Sequence, residues 1–171
     1  MTVSLIIRPL TAVNFSPFGD VIDLSRSDIK TRAINDGTTT RFHRLSTLET
    51  EGAPGIVSIF RGQPRSFPYE IGMMERHPLG SQTFYPLSNR PWLVIAAEDY
   101  HGPRTPKVFL ANGRQGITYR RNVWHHPLMA LDEESDFLVI DRDDAESGDS
   151  NLEEHTYDHP FLLEKAVASG S

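Results

Sequence analysis

The chain has no cysteine among its 171 residues, which excludes disulfides, thiolate metal ligands and cysteine nucleophiles together. Any metal would have to be held by nitrogen and oxygen. Lysine is scarce, confined to Lys30, Lys107 and Lys165, so the basic residues are mostly arginine, whose planar fork grips a carboxylate through two hydrogen bonds. A compositional bias of the genome accounts for that scarcity equally well. No apolar run approaches the ~20 residues that span a bilayer, and the first ten residues, MTVSLIIRPL, lack the basic start and long apolar core of a signal peptide. A soluble cytoplasmic protein is expected. The net charge of -6 and pI near 5.6 argue against nucleic-acid or anionic-membrane partners, which require clustered positive charge. Sustained helical periodicity is missing too, and that points to strands.

What is present is a series of short apolar segments punctuated by turn residues. They fall at 5–8, 19–23, 41–45, 55–61, 70–75, 83–85, 92–97, 108–111, 116–119, 127–131 and 136–141, a spacing that predicts an all-β sandwich or barrel. Twelve prolines and twelve glycines reinforce this by breaking helices. Only single helical turns are expected, at 10–14 and 151–155. With no shift in composition along its length, the chain reads as one domain over 1–171. Residues from about 142 to 160 are acidic and poor in core side chains, which predicts a surface excursion without chemistry. The end, about 166–171, is expected to fray.

Two segments stand out: residues 75–82, ERHPLGSQ, and 119–127, YRRNVWHHP. Each sets histidine beside turn formers at the edge of an expected strand. On a strand over 73–77, Glu75 and His77 share one face, and Met74 and Arg76 the other. Pro78 and Gly80 end it in a turn, and Gln82 opens the next strand with Phe84 on its own face. In the second segment Asn122 suits a left-handed turn position. The segment resembles the second cupin motif, which implies that His125 enters the cavity while His126 alternates to the opposite face, as packing. His77 and His125 lie 48 positions apart. A double-stranded β-barrel brings such half-motifs together to line its interior.

The order of FGDVI, INDGTTTRFH, SIFRGQPRSFPYEI, ERHPLGSQTFYPL, NVWHHPL and DFLVIDR resembles the ureidoglycolate lyase family, within the cupin superfamily. The resemblance implies an all-β, cupin-like double-stranded β-barrel (a jelly roll with a few short helices) and a homodimer. The implied activity is cleavage of (S)-ureidoglycolate, a small-molecule substrate, to glyoxylate and urea in allantoin degradation, a branch of purine metabolism. That reaction needs a base for the hydroxyl proton and an acid for the departing urea nitrogen, and histidine can serve as either near neutral pH. His77 and His125 are therefore the leading catalytic pair, with Glu75 as a base or as an orienting group for His77. Gln82 carries a donor and an acceptor to match a ureido group. Arg41 and Arg61 are candidates for the substrate carboxylate, whereas Arg76 should point away. Asn35, in the INDGT turn, either binds substrate or stabilises the turn. His43, His101, His155 and His159 have no supporting constellation.

Family members are associated with nickel, and His77, His125, Glu75 and Gln82 would be its ligands here. Glu75 stands where a cupin's first histidine would be and Gln82 where its glutamate would be, so a weak or absent metal site is expected. Cupin barrels also serve other functions. A non-catalytic sensor for a small carboxylate, which would need Arg41 and Gln82 but no proton-transfer histidines, is one alternative. A sugar or keto-acid isomerase is another.

Overall fold

Chain pieces too short for helices, with β-branched and aromatic residues between turns, pair into sheets. The computed structural model describes residues 3–144 and 150–164. In chain order it has β1 (Ile7–Pro9), α1 (Ala12–Phe15), β2 (Gly19–Ile22), β3 (Lys30–Ile34), β4 (Thr39–His43), β5 (Gly55–Gly62), β6 (Tyr69–Arg76) and β7 (Gln82–Pro86). There follow β8 (Trp92–Ala97), β9 (Lys107–Ala111), β10 (Gly116–Tyr119), β11 (Trp124–His125), β12 (Met129–Ala130), β13 (Ser135–Arg142) and β14 (Glu153–Leu163). Among the described residues no helix is long and apolar enough to cross a membrane.

The strands form the expected all-β, cupin-like fold. One sheet runs β1-β9-β8-β11-β6-β14 with β12 also on β8, and the second runs β2-β10-β7-β13-β5. β8 shows why the sheets stack. Its sequence WLVIAA has no polar residue, and all six side chains are buried. Trp92, Val94 and Ala96 join Phe84, Ile117, Tyr119, Phe137 and Val139 of the second sheet in one cluster. Leu93, Ile95 and Ala97 enter another on the opposite face, with Ile71, Met74 and Trp124. A strand covered on both faces has to be apolar throughout.

The single turn α1 is fixed by a reciprocal cap. Thr11 accepts from the Asn14 amide while Asn14 accepts from that of Thr11, and Phe15 anchors the turn in the core.

Two elements depart from expectation. Residues 151–155 are not helical: β14 begins at Glu153 and pairs antiparallel with β6, with a register shift between Thr156 and Phe161. That irregularity breaks the alternation by which a strand is read from sequence. β3 went unrecognised because its residues are mostly exposed and polar. It pairs with β4 in a two-stranded ribbon bonded to neither large sheet. The end expected to fray lies outside the described residues, as do residues 145–149 within the acidic segment.

Candidate functional site

The end of β6 and the short β11 build the site. His125 is the cross-strand partner of Glu75, so their side chains project to the same face. On the opposite face Arg76 stacks over Trp124 at 4.3 Å and pairs with Glu153 and Asp99. His77 follows directly after β6. The turn before β11 is made by Asn122 at φ 65°, and its N–H donates to the His77 carbonyl at 2.8 Å. This bond joins the two sequence motifs. Gly80 is required for space, since a Cβ there would lie 2.8 Å from that of Arg142.

Both rings are held by carbonyls. His77 Nδ1 bonds the Asn151 carbonyl at 2.8 Å, and His125 Nδ1 that of Val123 at 2.9 Å. A carbonyl only accepts, so each neutral ring carries its proton on Nδ1 and presents a lone pair at Nε2. Neither Nε2 has a hydrogen-bond partner among the described residues, although both are buried. Gln82 Oε1 is the third such atom, its amide nitrogen being engaged with Asp141 at 3.2 Å. Buried polar atoms left without partners mark a place where something binds. The ligand atoms of Glu75, His77 and His125 lie within 4.8 Å of one another. Tyr119, cross-strand partner of Gln82, stacks on the His125 ring at 4.3 Å.

Charge and burial act together here. Burial alone would raise the Glu75 carboxyl, but the neighbouring His125, followed by His77 and His126, outweighs it and holds the group below its ordinary value. His77 is pushed down, first by burial and then by His125, against the opposing pull of Asn151, Glu75 and Asp141. Burial raises the Asp141 carboxyl, with Gln82 and His77 opposing. The cluster is thus an ionised carboxylate beside a histidine that favours its neutral form.

Two imidazole nitrogens and a carboxylate oxygen, with Gln82 beside them, suit a first-row divalent ion. The orphaned Nε2 atoms, each fixed by a carbonyl on the other ring nitrogen, have the orientation that such ligands need. This is a better fit than the replacement of ligand types suggested from sequence.

The other expected residues are placed differently. Arg61 is 62% exposed and bound to Asp136, five positions along β13 from Asp141, about 17 Å at strand rise. Arg41 and Asn35 lie on the ribbon, where Asn35 donates to Thr39. Gln82 is linked to the cluster through Asp141 and Tyr119, whereas among the described residues no contact joins Arg61, Arg41 or Asn35 to it. His126 is buried and packs edge-on against Tyr69, with its Nδ1 on the Pro127 carbonyl.

Sequence reasoning missed Asp141 and Asn151. Asp141 was absorbed into the strand DFLVIDR, where alternation alone could have put it on the Val139 face. Asn151 lies in the acidic stretch expected to carry no chemistry, and it acts on His77 through its main chain, which no residue type advertises.

The family model described as ureidoglycolate lyase matches residues 2–164. The ureidoglycolate lyase of Agrobacterium fabrum is 58% identical over 166 residues, covering 95% of this chain and 97% of its own. That of Rhizobium etli is 56% identical over 165 residues, with 95% and 96% covered. That of Brucella abortus is 49% identical over 165 residues, with 94% and 95% covered.

Proposed function

The chain belongs to the ureidoglycolate lyase family, and on that premise we propose that it is an enzyme cleaving (S)-ureidoglycolate to glyoxylate and urea in allantoin breakdown. The observation that carries this reading is the gathering of two buried, unpartnered imidazole nitrogens, His77 Nε2 and His125 Nε2, with an ionised Glu75; Gln82 Oε1, also buried and unpartnered, is tied to them through Asp141. A non-catalytic sensor would not call for proton-transfer histidines, and the family match does not favour an isomerase.

The substrate carbon carries a carboxylate, a hydroxyl and the urea nitrogen. As its C–O bond becomes C=O, the hydroxyl proton leaves. His77 Nε2 takes it, since burial and His125 keep that ring ready to accept near neutral pH. In its protonated form His125 carries a second proton on Nε2, facing Glu75 Oε1 at 3.6 Å, and this proton passes to the departing urea nitrogen. Gln82 Oε1 accepts from the urea NH2 while its own amide stays on Asp141. The C–N bond breaks with no net consumption of water.

Glu75, His77 and His125, with Gln82, would hold a divalent ion, nickel by the family resemblance, and a bound ion supplies Lewis acidity that lowers the hydroxyl pKa. Ligation and proton transfer compete for the same lone pairs, and chelation separates them. Proton transfer by His77 and His125 needs these lone pairs free, so turnover should largely survive chelator treatment, and a fall of about tenfold or more that nickel reverses would assign them to ligation instead. Unchanged turnover in metal-free protein would assign the lone pairs to proton transfer.

The reading extends to a cytoplasmic homodimer, checked by cell fractionation and by light scattering for twice 19.3 kDa. Its central test is the product ratio. Purified protein given racemic ureidoglycolate should release urea and glyoxylate in equal amounts. Ammonia instead of urea would indicate an amidohydrolase, and turnover no faster than spontaneous decay would support the sensor.

A further inference from the structure

The cluster has carboxylates and acceptors but no cation, although the substrate reading requires one for a carboxylate. Arginines around the barrel are already engaged: Arg76 with Glu153 and Asp99, Arg61 with Asp136, Arg121 with Glu51, and Arg65 over the Tyr69 ring. Three cations without an ion-pair partner among the described residues, Lys30, Arg32 and Arg41, share the β3–β4 ribbon. Register sets Arg32 opposite Arg41 and Lys30 opposite His43, and cross-strand partners share a face. One face of the ribbon therefore carries Lys30, Arg32, Arg41 and His43, with Ile34 and Thr39 at its turn end. The other carries Thr31, Ala33, Thr40 and Phe42.

Such a ribbon is unstable in isolation. Like charges directly opposite oppose pairing, and a lone two-stranded hairpin is marginal in water. Almost every ribbon residue is exposed. A covering surface with negative charge would stabilise it.

The same chain presents an uncovered edge. β5 has one strand neighbour, β13, and exposes apolar side chains on both faces: Val57 (68%) and Ile59 (56%) on one, Ile56 (37%) and Phe60 (38%) on the other. Ile56 is the cross-strand partner of Asp141 and Phe60 of Phe137, so this second face adjoins the Gln82–Asp141 pair. Open edges of this kind are normally covered.

We propose that two copies of the chain exchange ribbons about a two-fold axis, the basic face of each closing the β5 side of the partner's barrel. Arg41, with Arg32 beside it, there supplies the cation that holds the substrate carboxylate. A second copy is the occupant because its site face, with Glu75 and Asp141, complements the ribbon's charge. The five-residue strands also extend about 17 Å, enough to pass from one barrel to the next. The inference rests on the ureidoglycolate reading for the identity of the carboxylate alone.

The test pairs an arm-defective variant, Arg32→Ala with Arg41→Ala, with a site-defective variant, His125→Ala. Each alone should lose about tenfold or more of its turnover. Co-expressed with different tags and purified as a heterodimer, they form one whole site in two and should recover about half the wild-type rate. No recovery in a verified heterodimer, full activity in the arm variant, or a monomeric wild type would each overturn the proposal. A second measurement needs no turnover: amides at 39–43 should exchange slowly in the dimer, and exchange at free-peptide rates would overturn the ribbon's docking. Slow exchange in a dimer that does not turn over ureidoglycolate would retain the exchange of ribbons and reject the substrate.

Discussion

At the scale of single residues, His77 is fixed by a group that belongs to the backbone. The Asn151 carbonyl sets its tautomer, while the Asn151 side chain accepts from the Leu79 amide at 2.7 Å and so fixes the turn that carries the ring. His125 is set the same way by Val123. His77→Ala and His125→Ala should each lower turnover by about 100-fold or more, with an unchanged circular dichroism spectrum. His126→Ala should cost about 1–3 kcal/mol of stability and change turnover little, because that ring is buried against Tyr69 with both nitrogens engaged. The reverse pattern, a dead His126→Ala and an active His125→Ala, would place the proton chemistry on the wrong histidine here. The positions of Glu75, His77 and His125 were legible from strand alternation and turn chemistry together with the resemblance to the cupin motifs. The roles of Asn151 and Asp141 were not, since one acts through its main chain and the other is placed by a long-range pairing.

At the scale of elements, β14 shows how an acidic stretch can be structural. Its pairing with β6 runs from Tyr69 to Arg76 and includes Glu75, so the strand supports the segment that presents the cluster. His155→Pro would set a residue without an amide hydrogen opposite the buried Met74. Urea denaturation should report a loss of about 2 kcal/mol or more, with turnover falling as the end of β6 loosens. A variant as stable as wild type would make β14 dispensable. The core strands were readable because apolar runs such as WLVIAA between turn residues have few other meanings. β14 was not, because its shifted register mixes the two faces, and β3 was not, because it buries almost nothing in its own chain.

At the scale of the whole molecule, buried histidines tie stability to pH. Burial, the largest influence on both, holds His77 and His126 below the ordinary histidine value. The unfolded chain therefore binds those protons at higher pH than the folded one. Their stabilising contribution is complete above about pH 6.5 and is lost as pH falls through the depressed folded values. Asp141, pushed up by burial, has the opposite sign, favouring the folded state in acid. The urea midpoint of metal-free protein should drop between pH 7.5 and 5.5, and a midpoint rising toward acid would contradict the histidine account. The bond from the Asn122 amide to the His77 carbonyl also bears on how the chain acquires its activity. Glu75, His77 and Gln82 are near neighbours in sequence, and His125 joins His77 across 48 positions. Closing so long a loop is entropically expensive and slow compared with forming a local hairpin. A newly made chain can thus pair its nearest strands well before it has a working centre, and the centre arises only when distant halves of the polypeptide meet.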